Sequence, residues 1–398
     1  MSLLLLAIGL AHAGIVAEIG PPVETGTAGT WARALPTEDG WRLGIGTAGN
    51  FHIGPLLQTG SGLGDWEFDE RSKSTVTDHG DLKDHNVQMC PDGGYYIVSS
   101  ANVVDHNDSA YSWFADADLN IVASGVLEER NPSRAHNDMA ALCSPWGTGA
   151  AFGGYGDGGG GSGESIFIEQ DETATNIGEI DLGGRFLMGA GLLADAATDR
   201  IILTTAEHSG ELTITTFTPE WAELSEVKHT VAEPGQRTYW PSGIIRVGQY
   251  YAVVMMSADD TGPGGGDTGN VYLHILTEDF DIVESHKLTD LQSGMDAAMR
   301  PWVARRDDLL LVTYDVMTQH TVQAVSLDLS GIDEVDEGFD EEDGGADGDD
   351  AGDADASGED GDKGGCATVS AGSSGLTLAA LSMLAVGRRR NGATLPRG

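Results

Sequence analysis

Residues 299–329 read Met299-Arg-Pro-Trp-Val-Ala304, then Arg305-Arg-Asp-Asp308, then Leu309-Leu-Leu-Val-Thr-Tyr314, and after a short connection Val322-Gln-Ala-Val-Ser-Leu327 before Asp328. A mixed apolar segment meets a polar tight turn, a continuous apolar run follows, and a third β-branched segment closes the unit. That is the pattern of strand, turn, buried strand, loop and strand in an antiparallel meander. The same unit recurs upstream. The first residues after the successive tight turns are Trp41, Tyr95, Ala150, Ile201, Tyr250 and Leu309, at spacings of 54, 55, 51, 49 and 59 residues.

A sustained period of this length in an all-strand pattern signals propeller blades. Each turn carries breakers suited to a hairpin, such as Asp39-Gly40, Pro91-Asp-Gly-Gly94, Ser144-Pro-Trp-Gly147 and Asp307-Asp308. The strands that follow, such as Tyr95-Tyr-Ile-Val98 and Tyr250-Tyr-Ala-Val-Val254, are apolar throughout. Such runs suit strands buried on both faces, as stacking blades require.

Third strands are expected at Trp66-Glu-Phe68, Ser112-Trp-Phe114, Ile166-Phe-Ile168, Ile214-Thr-Thr-Phe217, Tyr272-Leu-His-Ile275 and Ala324-Val-Ser-Leu327. Turns after them are expected to open on Asp69, Asp116, Asp171, Glu220, Asp279 and Asp328. Fourth strands follow in five copies, at residues 74–77, 120–124, 176–181, 224–229 and 282–286. The sixth copy runs into acidic sequence instead. Ile15-Val-Ala-Glu-Ile19 begins like Ile121-Val-Ala-Ser124 and supplies the missing strand. The expectation is an all-β, six-bladed β-propeller over residues 14–332, its ring closed by this N-terminal strand. A β-sandwich has turns at similar intervals but lacks the second-order period.

The two ends carry an address. Residues 1–13 form a short apolar stretch ending Ala11-His-Ala13, which fits a secretory signal cleaved before Gly14. Residues 333–363 are an acidic, disordered linker, with 16 acids and no base between residues 333 and 362. Residues 364–398 hold Cys366, an apolar stretch over residues 376–386, and Arg388, Arg389 and Arg390. This tail resembles the MYXO-CTERM sorting signals of surface proteins, in which a Cys-containing motif precedes a short hydrophobic helix and an arginine cluster. The resemblance covers only the tail. It implies processing by export and C-terminal sorting machinery at a membrane, with Cys366 as the anchoring point and the propeller displayed at the cell surface. An ordinary C-terminal membrane anchor with inside arginines has the same outcome for the propeller.

The formal net charge is −42. Residues 1–332 alone hold 47 acids against 16 bases, only four of them lysine. Such a surface repels nucleic acid, and membrane contact is expected only through the tail. Cys90 and Cys143 occupy matching places in the second and third copies, just before the tight turn. In an oxidising compartment they are expected to form a disulfide; two separate buried thiols are the alternative. No CxxC pair or HExxH is present to suggest zinc.

Residues at the starts of the innermost strands ring one mouth of a propeller channel. Here these are Trp31, His85 and Asn86, His136, Asn137 and Asp138, the Gly-Ala-Gly of residues 189–191, Tyr239 and Trp240, and Arg300. Imidazoles, amides, indoles and a guanidinium converging on one pit suit an extracellular glycan, peptide or partner protein. The competing reading is that they hydrogen-bond neighbouring blades. Loops on that face carry Asp105, Asp108, Asp259, Asp260 and Asp267, hard-oxygen ligands of the kind calcium takes. Asp138 with His136, and Asp315 with His320, are the acid–base pairs that a hydrolase or lyase acting on polysaccharide would use. The Asp-box turns of sialidase-like propellers, Ser-x-Asp-x-Gly-x-x-Trp, are missing. The expected role is binding, with polysaccharide chemistry as the alternative.

Overall fold

The computed structural model describes residues 14–332 apart from 48, 61, 78–81, 102–108, 130–138, 156–161, 186, 188, 208–209, 232–235, 260–268, 292–296 and 318–320. The expected signal segment, acidic linker and sorting tail lie outside the described residues.

After two short strands, β1 (Glu18–Ile19) and β2 (Val23–Ala28), the chain builds six antiparallel sheets one after another. The first contains β3 (Thr30–Thr37), β4 (Gly40–Thr47), β5 (Asn50–Gln58) and β6 (Trp66–Phe68), with β7 (Ser74–Thr75) also on β5. The second is β8 (Leu82–Met89), β9 (Tyr95–Ala101), β10 (Ala110–Ala115) and β11 (Ile121–Glu128). β12 (Ala140–Ser144), β13 (Gly147–Tyr155), β14 (Ser162–Gln170) and β15 (Asn176–Asp181) make the third. The fourth is β16 (Gly191–Asp195), β17 (Arg200–Glu207), β18 (Glu211–Phe217) and β19 (Glu223–Thr230). The fifth is β20 (Gln236–Val247), β21 (Tyr250–Asp259), β22 (Gly269–Leu276) and β23 (Ile282–Lys287). β24 (Ala298–Arg306), β25 (Leu309–Val316) and β26 (Thr321–Asp328) form the sixth. The protein is an all-β, six-bladed propeller.

Burial explains the strand patterns. Every residue of β22 is buried, whereas β23 alternates half-buried and exposed along its length. Central strands touch a blade on either side and outer strands have one wet face, so the first read as apolar runs and the second as alternation. Apolar packing continues around all six junctions. Phe51, Val87 and Trp113 join blades one and two, and Val254, Leu273 and Val312 join five and six. The junction between last and first blades is equally filled, by Leu43 and Ile45 against Leu311, Val322 and Ala324.

One strand is displaced from the sequence expectation. Trp66–Phe68 is the fourth strand of blade one, not its third, and the third is Asn50–Gln58. Gly54-Pro55 disguises it, since proline cannot donate to a ladder. Here the gap is harmless. Outward pairing switches from β6, opposite residues 56–58, to β7, opposite residues 52–53, and Pro55 sits between and accepts from the Asp69 amide.

The outer turns differ too. Asp116 and Asp171 accept backbone and side-chain bonds across their turns as expected. In blades four and five the Thr218 and Thr277 hydroxyls take that place, with Glu220 and Asp279 inside the turn. In all four of these turns the fourth residue has a left-handed backbone: Leu119, Ala174, Trp221 and Phe280. Non-glycine residues seldom adopt this conformation. Two are held by ring packing, Trp221 on Phe167 at 4.2 Å and Phe280 on Tyr251 at 5.3 Å.

At the N-terminal end, Glu18 pairs with Asp328 and Ile19 with Leu327, and β2 continues along β26 with Val23 opposite Ala324. The pairing thus falls at Glu18–Ile19 and Val23–Ala28 rather than along the whole of the expected strand, residues 15–19. Ile15 itself is a core residue, 3% exposed, between blades five and six.

Cys90 and Cys143 are bridged, with Cα atoms 5.0 Å apart, inside the span an unstrained disulfide needs. The bond ties blades two and three. Closing a loop of 53 residues' separation restricts the unfolded chain by about 2–4 kcal/mol in the entropy picture. Replacing both cysteines by serine is therefore expected to lower the unfolding free energy read by denaturant titration by that amount, and a non-reduced peptide map of the wild type should contain the linked pair.

Candidate functional site

Four innermost strands break register at the same height, close to their starts. The shifts fall between Thr30 and Arg33, Leu82 and His85, Tyr239 and Gly243, and Met299 and Trp302. Bulges of this kind bend a strand and re-aim its side chains, and they concentrate at rims and sites. Two bulges carry a non-glycine residue in the left-handed region, Trp31 at φ 57° and Arg300 at φ 52°.

The structure brings Trp31 and Arg300 together at the junction of blades six and one. Arg300 grips Asp315 with both ends of its guanidinium, Nε to Oδ1 at 2.9 Å and Nη2 to Oδ2 at 2.6 Å. The Trp31 amide donates to the same Asp315 Oδ1 at 3.2 Å. Arg33 donates through Nη1 to the Arg300 carbonyl at 3.1 Å. Its guanidinium lies 5.3 Å from the Trp31 ring and 4.8 Å from Trp302, and that of Arg300 lies 5.1 Å from Trp31. Arg33 and Asp315 are both fully buried, so the indole faces replace part of the lost hydration. Thr313 and Trp302 add further bonds to the carbonyls of Ala32 and Ala34. Arg33, Trp302 and Asp315 thus join the cluster, though sequence singled out only Arg300, Trp31 and, as an acid, Asp315. Cross-blade partnership has no short-range signal.

Asn86 also reaches across blades, donating to the Met139 carbonyl at 2.9 Å. His85 is 2% exposed and stacked on Phe51 at 5.0 Å, packed so closely on Gly46 that a Cβ there would lie 2.5 Å from the ring. Neither ring nitrogen has a partner among the described residues. Burial, and then the charges of His52 and Arg33, lower its pKa to about 3. The folded state therefore holds it neutral, while the unfolded chain takes up its proton near 6.5. Stability contributed above pH 6.5 is lost as pH falls toward 3, at about 1.4 kcal/mol per unit for this group. His274, lowered to about 4 mainly by burial, acts in the same direction. Urea denaturation between pH 7 and 5 should show the slope, and His85→Phe should flatten it; an equal slope in the variant would contradict this account.

Tyr239 lies on β20 opposite Met256, and Trp240 falls within the bulge. His136, Asn137 and Asp138 lie outside the described residues. So do Asp105, Asp108, Asp260 and Asp267, while Asp259 ends β21 opposite Gln236. His320, the proposed partner of Asp315, is likewise outside them. No metal-holding group occurs among the described residues.

At the opposite face, where first and second strands turn, lies a cavity of about 1510 Å³. Trp41, Arg42, Tyr95 and Arg306 line it beside the disulfide. Arg42 donates to the Tyr95 hydroxyl at 2.8 Å, and Arg306 to the Glu38 carbonyl at 3.0 Å. The sequence reading assigned no role to this face.

No protein-family model matches the chain, and no curated protein is similar to it. Among solved structures it is similar to the Bacteroides ovatus xyloglucan PUL GH43B protein, at 11% identity over 62% of this chain and a TM-score of 0.41; the chain spans about half, 52%, of that protein. It is also similar to an endo-arabinase from Bacteroides thetaiotaomicron, at 11% identity over 78% of this chain and 97% of the other, TM-score 0.42. A third is the subtype N10 neuraminidase-like protein of A/little yellow-shouldered bat/Guatemala, at 9% identity over 78% and 99%, TM-score 0.42.

Proposed function

We propose that this is an exported, surface-displayed binding propeller that holds an extracellular glycan, peptide or partner protein at the mouth formed by the starts of its first strands. The observation that carries this reading is the repeated bulge. Among the described residues four inner strands break register at one height, and the broken positions hold Tyr239, with Trp240 nearby, and Arg300, beside the buried Trp31. Backbone departures from ladder geometry cost energy and persist where they position side chains. Binding is preferred to catalysis because Asp315, a candidate acid, has both oxygens engaged by Arg300. The disulfide suits an oxidising compartment. Export through residues 1–13 and display through the tail at Cys366 complete the proposal, as does closure of the ring by β1 and β2 on β26.

The exported, full-length protein would be screened on arrays of polysaccharides and surface proteins. Tyr239→Ala and Trp240→Ala are expected to weaken the leading interaction about 30-fold each, the loss typical of a central aromatic anchor. Unaltered melting temperature is the folding control. Binding that survives both changes but fails in Trp41→Ala would move the site to the opposite cavity. Turnover of an arrayed polysaccharide would favour the hydrolase or lyase reading.

A further inference from the structure

The amino-terminal residues of the propeller end on a carboxylate from a different blade. Ile15 N donates to Glu284 Oε1 at 2.5 Å and Val16 N to Glu284 Oε2 at 3.3 Å. Glu284 lies on β23, the outer strand of blade five, while Ala17 N already bonds the Asp328 carbonyl of blade six. The segment therefore crosses the junction of these two blades, with Ile15 buried in their shared core. Glu284 is only 19% exposed, and His286 Nε2 lies 3.1 Å from its Oε2.

Gly14 is fitted into the same place. A Cβ on Gly14 would sit 3.0 Å from Glu284 Oε1, and a Cβ on Gly331 would be 2.1 Å from the Gly14 carbonyl oxygen. Gly14, itself exposed, thus adjoins a carboxylate that already receives the next two amides of the chain. Ala11 and Ala13, the small residues that an export peptidase selects, immediately precede it.

We propose that cleavage between Ala13 and Gly14 makes a structural ion pair: the new Gly14 ammonium docks on Glu284 and pins blade five to blade six in the mature protein only. Water supplies the atoms. The Ala13–Gly14 amide bond breaks, hydroxyl goes to the Ala13 carbonyl, and the proton goes to the Gly14 nitrogen, which takes a second proton from solvent. Before cleavage the same atom is a neutral amide with no charge to offer. After it, a cation at the exposed Gly14 adjoins a carboxylate whose side chain is 19% exposed, where attraction is screened less than between two fully exposed groups. The titratable groups facing the site are Glu284 and His286 from β23, with Asp328 of β26 opposite Glu18 a few residues along.

This inference rests on the export reading, and its test separates the two. The full chain would be exported from a host with a matching pathway, its N-terminus sequenced, and its α-amine titrated by NMR after isotopic reductive methylation. The expected result is a terminus at Gly14 whose amine titrates at least about one unit above the usual 7.7–8.0. Glu284→Gln should return it to that range, and His286→Ala, which keeps the carboxylate, should leave it raised. A chain retaining Met1 would contradict the export reading and this inference together. A Gly14 terminus with an ordinary amine, indifferent to Glu284→Gln, would overturn the ion pair and leave export standing. A terminus at any other residue would overturn the cleavage assignment.

Discussion

Deleting residues 14–28 is expected to unfold the ring or lower its melting temperature by 10 °C or more. The deletion strips β1 and β2 from β26 and leaves the outer edge of blade six bare. It also removes Ile15 from the core shared with blade five, together with the amides that Glu284 accepts. Burying one such aliphatic side chain is worth about 1.5–3 kcal/mol, and each ladder bond adds about 0.5–1.5 kcal/mol, so a loss of about 5 kcal/mol is expected. Exposed edges also invite association between copies. Calorimetry and light scattering of the truncated chain would read both effects. A truncated protein that melts as the wild type does would contradict closure by the N-terminal strands.

The second large effect is expected at Asp315. This carboxylate is fully buried on blade six and serves three donors, two from Arg300 and one from the Trp31 amide of blade one. Asp315→Ala leaves Arg300, whose side chain is 15% exposed, without that anion, and leaves the strained Trp31 backbone without its acceptor. Removing one member of a buried pair typically costs 3–5 kcal/mol, roughly, because the other charge stays desolvated. Denaturant titration should show a loss of that size, with Arg300→Lys less damaging than Asp315→Ala. A cost below about 1 kcal/mol would mean that the seam between blades is held by apolar packing alone.

The parts of the fold that the sequence made legible are those buried on two faces. Tyr95–Ala101, Tyr250–Asp259 and Leu309–Val316 announce themselves because residues 95–100, 250–258 and 310–316 are buried throughout. Asn50–Gln58 was hidden because Gly54-Pro55 is a breaker in most contexts, and only the switch from β6 to β7 makes it tolerable. Likewise Thr218 and Thr277 took the turn positions that the nearby acids suggested, since a hydroxyl two residues earlier does the same hydrogen bonding. At the mouth, strand starts could be counted from the repeat, which put Trp31 and Arg300 at matching places. What each side chain does there depends on residues far away in sequence. Asp315 decides for Arg300, while Phe51 and Gly46 decide for His85. No window along the chain contains those partners. The pairing of Cys90 with Cys143 was legible for the converse reason: equivalent positions in adjacent blades are neighbours by the symmetry of the repeat itself.

In the proposed function the working face is the mouth at the first-strand starts. Amide hydrogen exchange tests it most directly, on the exported full-length protein with and without the strongest-binding array component. The account predicts new protection in peptides covering residues 30–33, 82–86, 236–240 and 298–302. Protection confined to residues 38–42, 91–95 and 306–309, around the cavity at the opposite face, would contradict it.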